Sequence, residues 1–211
     1  MTEKKSPHNG PGRPKDLAKR AAILDAAQCL FLRHGYDGSS MDAIAAEAGV
    51  SKLTVYSHFT DKETLFSAAV TAKCQAQLPE LLFELPPDAS VERVLRNIGL
   101  RFNTLINTPE SIELYRLMMT LASQNPKLSQ LFFEAGPQSV HDEMEGLLRK
   151  ADQAGVLRIA EPARAAEHFL CLIKGAHNFR LLVGCSQAMR EGDAERHVDE
   201  VVELFVRAYR V

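Results

Sequence analysis

The sequence lacks the features that mark membrane proteins, secreted proteins and the common enzyme classes. It contains no run of about 18 apolar residues, the length that a transmembrane helix needs. Its N-terminus lacks the apolar segment of a signal peptide, so we expect a cytoplasmic protein. Nucleophile-elbow, phosphate-loop and zinc-binding motifs are also absent, and the seven histidines are scattered. We therefore expect a binding protein rather than an enzyme.

Cysteines are few and are not spaced as metal ligands. The chain has four, Cys29, Cys74, Cys171 and Cys185, and no two of them form a metal-type pair. His168 and Cys171 lie three residues apart and are at most half of a metal site, because no second pair completes it. In a reducing compartment the thiols should stay free and pack as small apolar groups. The sequence therefore predicts no metal and no cofactor, and it disfavours redox sensing.

Charge is distributed unevenly along the chain. The net charge is −2, and 45% of the residues are hydrophobic, enough for a buried core. Residues 1–20, however, hold six basic and two acidic side chains, a net charge of +4, which leaves −6 for the rest. A basic end on an acidic body suits a protein that contacts phosphate groups with one end only. Binding of that kind weakens as the salt concentration rises.

Residues 40–62 have the pattern of two short helices separated by a glycine turn. One buried helix face is indicated by residues at helical spacing, Met41, Ile44, Ala45 and Ala48. Ser40 can cap the first turn of that helix, and Gly49 can end it. Val50 would then fill the turn, and Ser51 would cap the second helix.

The second helix has a narrow apolar stripe. Only Val55 and Phe59 have the spacing of core-facing residues. The other side chains are mostly small or carry hydrogen-bonding groups: Lys52, Leu53, Thr54, Tyr56, Ser57 and His58. A short helix of this composition suits insertion into a DNA major groove. Two surface helices of an unrelated α-helical protein would explain the same pattern.

This stretch resembles the helix-turn-helix of the TetR family of transcriptional regulators, and the resemblance extends to both sides. Upstream, residues 19–36 resemble the family's first helix, which ends in Gly35 followed by an aromatic residue. Downstream, the start of its fourth helix is matched by Asp61, Lys62, Glu63, Leu65 and Phe66. The resemblance implies that two protomers place their recognition helices in successive major grooves of a palindromic site.

The resemblance also implies a role for each residue of the motif. Ser39 and Ser40 would meet a phosphate at a helix N-terminus, and Tyr56, His58 and Lys62 would bind further phosphates. Lys52, Leu53, Thr54 and Ser57 would face the bases, Lys52 pairing with guanine and the Thr54 methyl touching a thymine methyl. The full predicted DNA-binding set is Arg13, Lys15, Ser39, Ser40, Ser51, Lys52, Leu53, Thr54, Tyr56, Ser57, His58 and Lys62.

Two positions of this set leave alternatives open. Many family members have glycine where this chain has Leu53, which would fill the groove with apolar surface instead of letting the backbone approach. Tyr56 would be a core residue if the helix were turned differently. The base contact at Leu53 and the phosphate contact at Tyr56 therefore depend on how the helix is oriented.

The N-terminal residues 1–15 are rich in Pro, Gly and Lys and nearly free of apolar side chains, which predicts a disordered basic arm. Residues 12–15 resemble the arm that precedes the first helix in many family members, and such an arm can reach the minor groove. A plain solubilising tail is the alternative. We thus predict an arm over 1–15, a helix-turn-helix DNA-binding domain over 16–62, and a ligand-binding and dimerisation domain over 63–211.

After residue 61 the sequence has helical periodicity with few interruptions, so the expected fold is all-α with about nine helices. The fourth helix should run from Asp61 to about Leu85, unless Pro79 ends it earlier. Later helices should open near Ser90, Thr108-Pro109, Asn125-Pro126 and Glu161-Pro162, and the last should carry Val198 to Tyr209. Gly136-Pro137 falls inside a helical pattern and predicts a kinked helix or two helices in series.

Residues 110–185 resemble the AefR-like class of TetR C-terminal domains. The residues that carry this resemblance are Pro126, Phe133, Gly136-Pro137, Gly155, Pro162, Ala165-Ala166, Phe169-Leu170 and Gly175. The resemblance favours an effector cavity between helices, lined by Phe102, Tyr115, Met118, Met119, Phe132, Phe133, Cys171 and Phe179. A close-packed core without a cavity is the alternative.

Two further sets belong to this half. Candidate polar anchors for the effector are Arg116, His168, Lys174, His177 and Asn178. The dimer interface is predicted on the last two helices, through Ala165, Phe169, Ile173, Ala176, Val198, Val202 and Phe205.

The resemblance implies a homodimeric, ligand-responsive transcriptional regulator that binds double-stranded DNA at a palindromic operator. The family resemblance favours a repressor. A small apolar or aromatic effector would favour a dimer whose recognition helices no longer match the groove spacing. The fourth helix, which links the two predicted domains, would act as the lever. The alternative is a DNA-binding regulator with no small-molecule ligand.

Overall fold

Every regular element that the structure describes is a helix. The computed structural model describes residues 13–86, 89–185, 190 and 192–211. Its α-helices are α1 (Arg13–His34), α2 (Met41–Glu47), α3 (Lys52–His58), α4 (Lys62–Gln77), α5 (Val91–Asn107), α6 (Pro109–Leu121), α7 (Pro126–Phe133), α8 (Ser139–Gln153), α9 (Pro162–Leu182) and α10 (Asp193–Ala208). A 3₁₀ turn (Glu80–Phe83) follows α4, and a π turn (Glu134–Gln138) joins α7 to α8. The predicted all-α class is confirmed. These ranges hold nine helices when α7, the π turn and α8 count as one.

Side-chain caps begin several helices where the sequence predicted them. The Ser40 hydroxyl accepts a hydrogen bond from the Ala43 backbone amide at the start of α2, and Ser51 accepts one from Thr54 at the start of α3, both at 3.1 Å. Gly49, with a φ of +65°, makes the turn between them, a conformation that glycine adopts without strain. The same capping role is taken by Ser90, Thr108 and Asn125 at α5, α6 and α7.

The α4 helix ends at Gln77 rather than near Leu85. Pro79 accounts for the early end, since proline donates no backbone hydrogen bond and disfavours the helical conformation in the residue before it. Of the two predicted ends, the one at Pro79 is therefore right. No helix within the described ranges is long and apolar enough to span a bilayer.

The chain divides into two compact units, and the division falls inside α4, between Ala69 and Val70. The sequence placed the boundary near residue 62, at the start of the same helix. The first unit has a core of Ile23, Ala27, Phe31, Ile44, Val55, Phe59, Leu65 and Phe66. Within it, the rings of Phe31, Tyr36 and Phe66 pack with centroids between 5.4 and 5.7 Å apart. This core holds α2 and α3 against α1 and the start of α4.

The second unit is built on α5, α8, α9 and α10, which pack on one another. Their shared core contains Leu95, Ile98, Met144, Leu147, Phe169, Ile173, Val198 and Phe205. The rings of Phe169 and Phe205 meet edge to face, 5.1 Å apart. The inner faces of the last two helices are therefore filled within one protomer.

The Gly136-Pro137 pair produces a π turn, so the predicted break is a widened helical turn that joins α7 to α8. Pro137 has no backbone N–H, so one hydrogen bond of a regular helix is missing there, and a π turn accommodates that loss. The carbonyl oxygen of Ala135 accepts a hydrogen bond from the Thr71 hydroxyl of α4, at 3.1 Å. The end of α4 and the π turn are thus joined.

The α9 helix is broken near its middle, which the sequence analysis did not anticipate. Gly175 has φ +55° and ψ −174°, well outside the helical region. The Ile173 carbonyl oxygen accepts a hydrogen bond from Asn103 at 3.4 Å and lies 3.1 Å from Nε2 of His197. The break changes which face of the following half-helix is buried.

Candidate DNA-binding surface and effector cavity

The α3 helix presents most of its predicted DNA-binding residues to solvent. Val55 and Phe59 anchor its inner side and are buried, as expected of the core stripe. Leu53 is 80% exposed and Tyr56 is 44% exposed, so the tyrosine is not a core residue. Ser51, Lys52 and Ser57 are exposed as well, and Thr54 is half-buried. The helix therefore offers one continuous outer face.

Most polar groups on this face already have partners within the protein. Lys52 Nζ lies 2.8 Å from a carboxylate oxygen of Asp42 in α2. The hydrogen bond and the charge of Asp42 both raise the pKa of this lysine. The hydroxyls of Ser51 and Thr54 are 2.8 Å apart, and the Ser57 hydroxyl donates to the Thr54 carbonyl at 2.7 Å. Lys52 is therefore already engaged by Asp42 in the absence of DNA.

His58 lies at the inner edge of the surface. Its ring is half-buried, and Nε2 lies 3.1 Å from a carboxylate oxygen of Asp16 in α1, without hydrogen-bonding geometry. A phosphate contact through this nitrogen would require the ring to turn outward. Tyr56 is better placed, because it is exposed and Lys52 Nζ lies 6.0 Å from its ring centre.

Two predicted phosphate ligands, Ser39 and Lys62, face inward. Ser39 is 3% exposed, and its hydroxyl donates to the Gly35 carbonyl at 2.8 Å. Lys62 Nζ donates to the carbonyls of Tyr36 and Ser39 at 2.9 and 3.1 Å. Carbonyls at and after a helix end lack helical partners, and these two side chains supply partners after α1. In this structure the Ser39 hydroxyl and the Lys62 ammonium are thus both engaged within the protein, and phosphate contacts by these two residues stay predictions. Ser40 remains exposed at the start of α2.

The α1 helix begins at Arg13, so Arg13 and Lys15 belong to its first turn instead of preceding it. Their side chains, and residues 1–12 of the predicted arm, lie outside the described residues. DNA contacts by Arg13 and Lys15 stay predictions.

A small cavity lies inside the second unit, next to the π turn. Its volume is about 50 Å³. It is lined by Val70, Lys73, Cys74, Phe102, Leu105, Ile106, Ser111, Leu114, Tyr115, Phe132, Gly136, Pro137 and Val140. The rings of Tyr115 and Phe132 meet at 90°, with centroids 5.4 Å apart. Burial raises the pKa of Tyr115 to about 12, so its hydroxyl stays protonated at neutral pH.

The residues predicted for the effector site fall into two groups, and a role of either group in effector binding stays a prediction. Phe102, Tyr115 and Phe132 line the cavity. Met118 is buried but lies outside the lining, and four others face solvent: Met119, Phe133, Cys171 and Phe179. Phe179 follows the break at Gly175, where Asn178 is the buried residue instead. Met119, Phe133 and Cys171 lie on the outer sides of their helices, because neighbouring positions already fill the inner sides.

The contribution of α4 was missed. Val70, Lys73 and Cys74 have the i, i+3, i+4 spacing of one helix face, and this signal would have found them. The predicted room beside Gly136-Pro137 is present, since both residues line the cavity.

The predicted polar anchors lie outside the cavity lining, and two of them hydrogen-bond backbone carbonyls of neighbouring helices. Arg116 donates to the carbonyls of Leu181 and Leu182, near the end of α9, at 2.6 and 2.8 Å. Asn178 donates to the Ile106 carbonyl at 3.1 Å. These bonds hold the outer half of α9 against α5 and α6. His168, Lys174 and His177 are likewise outside the lining.

Six of the seven residues predicted for the dimer interface lie in the core of one protomer. Ala165, Phe169, Ile173 and Val198 have no exposed surface, and Val202 and Phe205 are also buried. These side chains are covered mainly by the protomer's own helices, so they offer a partner little or no surface. Ala176 is exposed. The outward faces of α9 and α10 carry other large apolar residues, Leu172, Phe179 and Leu204, and Val183 directly after α9 is exposed as well.

His168 and Cys171 form no metal-binding pair. His168 Nδ1 lies 3.3 Å from the Tyr209 hydroxyl, and Cys171 is exposed. Among the described residues, His141, Asp142 and Glu145 place ligand atoms within 4.8 Å of one another. Nε2 of His141 is paired with a backbone carbonyl, and Glu145 is paired with an arginine. Asp142 likewise accepts a hydrogen bond from Gln138, so both carboxylates of the cluster have partners within the protein.

Comparison with protein families identifies both halves of the chain. Residues 23–69 match the model described as bacterial regulatory proteins, tetR family. Residues 93–211 match the C-terminal domain of AefR-like transcriptional repressors.

Individual proteins agree with this assignment. The transcriptional repressor AcnR of Corynebacterium efficiens is 28% identical over 198 residues, covering 92% of this chain and 95% of its own. A crystal structure from Mesorhizobium loti, described as a TetR-family regulator, superposes with a TM-score of 0.76 at 30% identity, covering 94% of this chain and all of that one. The flavonoid-responsive regulator FrrA superposes with a TM-score of 0.70 at 30% identity, covering 91% and 97%. The chain belongs to the TetR family of DNA-binding transcriptional regulators, which are not enzymes, and has an AefR-like C-terminal domain.

Proposed function

We propose that this protein is a homodimeric cytoplasmic repressor that binds a palindromic operator and is released by a small apolar or aromatic effector. The observation that carries the DNA-binding part is the outer face of α3. It is anchored by buried Val55 and presents Lys52, Leu53 and Tyr56 to solvent. A rigid helix with an exposed cation, an exposed aromatic hydroxyl and small neighbours suits the major groove.

Selection of duplexes from a random DNA library tests this part directly. The wild type should recover one palindrome, and a Lys52→Ala, Tyr56→Ala variant should lose it. Lys150→Ala is a matched control, because Lys150 is an equally exposed lysine paired with Glu84 in the second unit. Recovery of no preferred sequence by the wild type, or equal recovery by the α3 variant, would overturn the proposal.

The dimer is proposed to form through the outward faces of α9 and α10. Leu172, Phe179 and Leu204 are large apolar side chains exposed on these two helices, and Val183 directly after α9 is exposed as well. Exposed apolar patches mark interaction surfaces. Sedimentation equilibrium should show a dimer for the wild type and a monomer for Phe179→Glu. Phe133→Glu is a matched control on α7, where the phenylalanine is exposed to a similar degree. A Phe179→Glu variant that stays dimeric would exclude this face.

The effector is proposed to enter the cavity beside the π turn. The lining is mostly apolar, with the Lys73 ammonium, the protonated Tyr115 hydroxyl and Ser111 as hydrogen-bonding groups. An aromatic molecule with one polar group fits this chemistry, and the relative FrrA is flavonoid-responsive by name. A cavity of about 50 Å³ is far below the ~300 Å³ that a drug-sized ligand occupies. Binding must therefore open the cavity.

Opening would act on α4. Gly136 is buried against this helix, and Thr71 of α4 is hydrogen-bonded to the π turn through Ala135. A ligand that pushes the π turn away from α4 must displace these contacts. Because α4 begins at Lys62 and ends at Gln77, a shift of its end would be carried toward its start. The effector then works through its different affinities for the two arrangements.

The small cavity also supports a second candidate, a regulator with no small-molecule ligand. Thermal unfolding with a panel of flavonoids and other phenols separates the two. Stabilisation by one compound, reduced in Tyr115→Phe and retained in Tyr209→Phe, would support the effector proposal. The same compound should also release the operator, less effectively from Tyr115→Phe than from the wild type or Tyr209→Phe. No stabilisation by any member would favour the ligand-free alternative.

A further inference from the structure

We propose that Leu53 determines operator specificity by contacting the methyl group of a thymine in the major groove. This inference rests on the proposed operator binding and adds the base that one residue reads. It begins from the exposure of Leu53, which is 80% accessible although it is a large apolar side chain. Single exposed leucines are ordinary on protein surfaces. This leucine, however, lies in the first turn of α3, on the same face as Lys52 and Tyr56. It is therefore part of the proposed DNA-binding face.

The polar side chains around Leu53 are already hydrogen-bonded to the protein. The Ser51 and Thr54 hydroxyls are 2.8 Å apart, and the Ser57 hydroxyl donates to a backbone carbonyl at 2.7 Å. Lys52 is paired with Asp42 at 2.8 Å. Part of their hydrogen-bonding capacity is thus already used within the protein, and a donor that exchanges such a partner for a base gains little net free energy. Leu53 gives up no contact when it enters the groove.

The major groove offers one apolar group to such a side chain. Of the four bases, only thymine carries a methyl group on its groove edge, at C5. Burying that methyl against leucine removes apolar surface of both partners from water. Cytosine presents a hydrogen at the same place, so the contact discriminates a T·A pair from a C·G pair. The specificity at this step is therefore apolar rather than hydrogen-bonded.

Replacing thymine by deoxyuridine tests the inference, because it removes the methyl and leaves every hydrogen-bonding group in place. Each thymine of the selected operator is changed in turn, and affinity is measured by fluorescence anisotropy. At one position per half-site, the wild type should lose affinity about fourfold, the factor that corresponds to ~0.8 kcal/mol per buried methyl. Changing both half-sites should give a loss of about 15-fold. The Leu53→Ala variant should bind the thymine and uracil operators equally.

Controls separate the possible failures. Leu81→Ala removes the same atoms from a leucine in the second unit that is 84% exposed, and it should keep the wild-type sensitivity to the methyl. Leu53→Ala truncates an exposed side chain, so it should fold normally, which circular dichroism checks. Specific binding without methyl sensitivity, or with equal sensitivity in Leu53→Ala, would overturn this inference and leave the proposed function standing. Absence of any specific operator would overturn the proposed function itself.

Discussion

The ammonium nitrogen of Lys62 lies 2.9 Å from the carbonyl oxygen of Tyr36 and 4.2 Å from the centre of the same residue's ring. A second bond reaches the Ser39 carbonyl at 3.1 Å. These contacts tie the start of α4 to the segment between α1 and α2. Burial, together with the nearby carboxylates of Glu63, Asp61 and Asp37, raises the pKa of Tyr36 to about 12. The ring is therefore neutral under the lysine. Lys62 holds the DNA-binding unit together.

Lys62→Met should destabilise the first unit. The methionine keeps an apolar stem but leaves two carbonyls without their charged donor, and hydrogen bonds to charged groups contribute about 1.5–3 kcal/mol. We expect the free energy of unfolding to fall by about that amount in urea titrations followed by circular dichroism. Lys52→Met is the control, because its ion pair is fully exposed and should contribute less. If the two variants lose the same free energy of unfolding, the hydrogen bonds from Lys62 to the Tyr36 and Ser39 carbonyls contribute no more than a surface ion pair.

Asp42→Asn should tighten operator binding. The carboxylate lies beside the proposed DNA-binding face of α3 and holds Lys52 Nζ at 2.8 Å, so in the proposed complex it would repel phosphates and occupy a cation that could bind them. Removing the charge from both protomers of the proposed dimer should steepen the dependence of log affinity on log salt by about 1.8, the value for two more neutralised phosphates, one per half-site. Fluorescence anisotropy at several salt concentrations measures this slope. Glu84→Gln, which frees Lys150 in the second unit, should change neither the slope nor the affinity. An Asp42→Asn slope equal to that of the wild type would count against the α3 surface.

Alanine at two glycines should have opposite effects. At Gly136, a Cβ would lie 3.1 Å from Val70 Cγ1 and 3.4 Å from Cys74 Sγ, both on α4. At Gly146 in α8, a Cβ would meet nothing within 4 Å. We expect Gly146→Ala to gain about 0.5–1 kcal/mol from helix propensity. Gly136→Ala should lose about 1–2 kcal/mol through crowding.

Thermal unfolding of the two glycine variants, and of Gly136→Ala combined with Val70→Ala, checks this pair. The added Val70→Ala change should relieve part of the crowding. The double variant should therefore lose less stability than the sum of the losses in Gly136→Ala and Val70→Ala. If Gly136→Ala proves as stabilising as Gly146→Ala, the π turn packs less closely against α4 than the structure shows. The proposed route from the cavity to α4 would then lose its support.

The local structure of this protein was largely predictable, because it is set by residues close in sequence. Ser40, Ser51 and Gly49 define the helix-turn-helix through caps and a left-handed turn, and each is recognisable by residue type. Pro79 likewise ends α4 by its own chemistry. Val55 and Phe59 follow from spacing alone, and both are buried.

The roles of the second half were harder to predict, for two physical reasons. Helical periodicity marks an apolar stripe, but the stripe does not say whether the protomer's own core or a partner covers it. Phe169 and Val198 were assigned to the partner and lie in the core. In addition, the break at Gly175 depends on distant side chains, Asn103 and His197, which pair with the freed carbonyl of Ile173. Regular helical spacing in the sequence therefore does not predict that break.

Cys74 should be the least reactive thiol of the protein at neutral pH. Burial raises its pKa from the ordinary 9.0 to about 11, although Lys73 acts in the opposite direction. At pH 8 only about one Cys74 side chain in a thousand is then a thiolate, the form that alkylates. Its reaction with iodoacetamide should accelerate about tenfold per pH unit between pH 7 and 10, because the thiolate fraction rises in that proportion.

Cys171 and Cys185 are exposed and provide the internal comparison. Peptide mass spectrometry after short labelling at pH 8 should find both modified well before Cys74, and labelling in urea should remove the difference. A phenol that occupies the cavity should slow Cys74 further without affecting Cys171, because Cys74 lines the cavity and Cys171 does not. If Cys74 instead reacts as fast as Cys171 in the folded protein, the cavity opens to solvent without a ligand. Binding would then select a state that already exists.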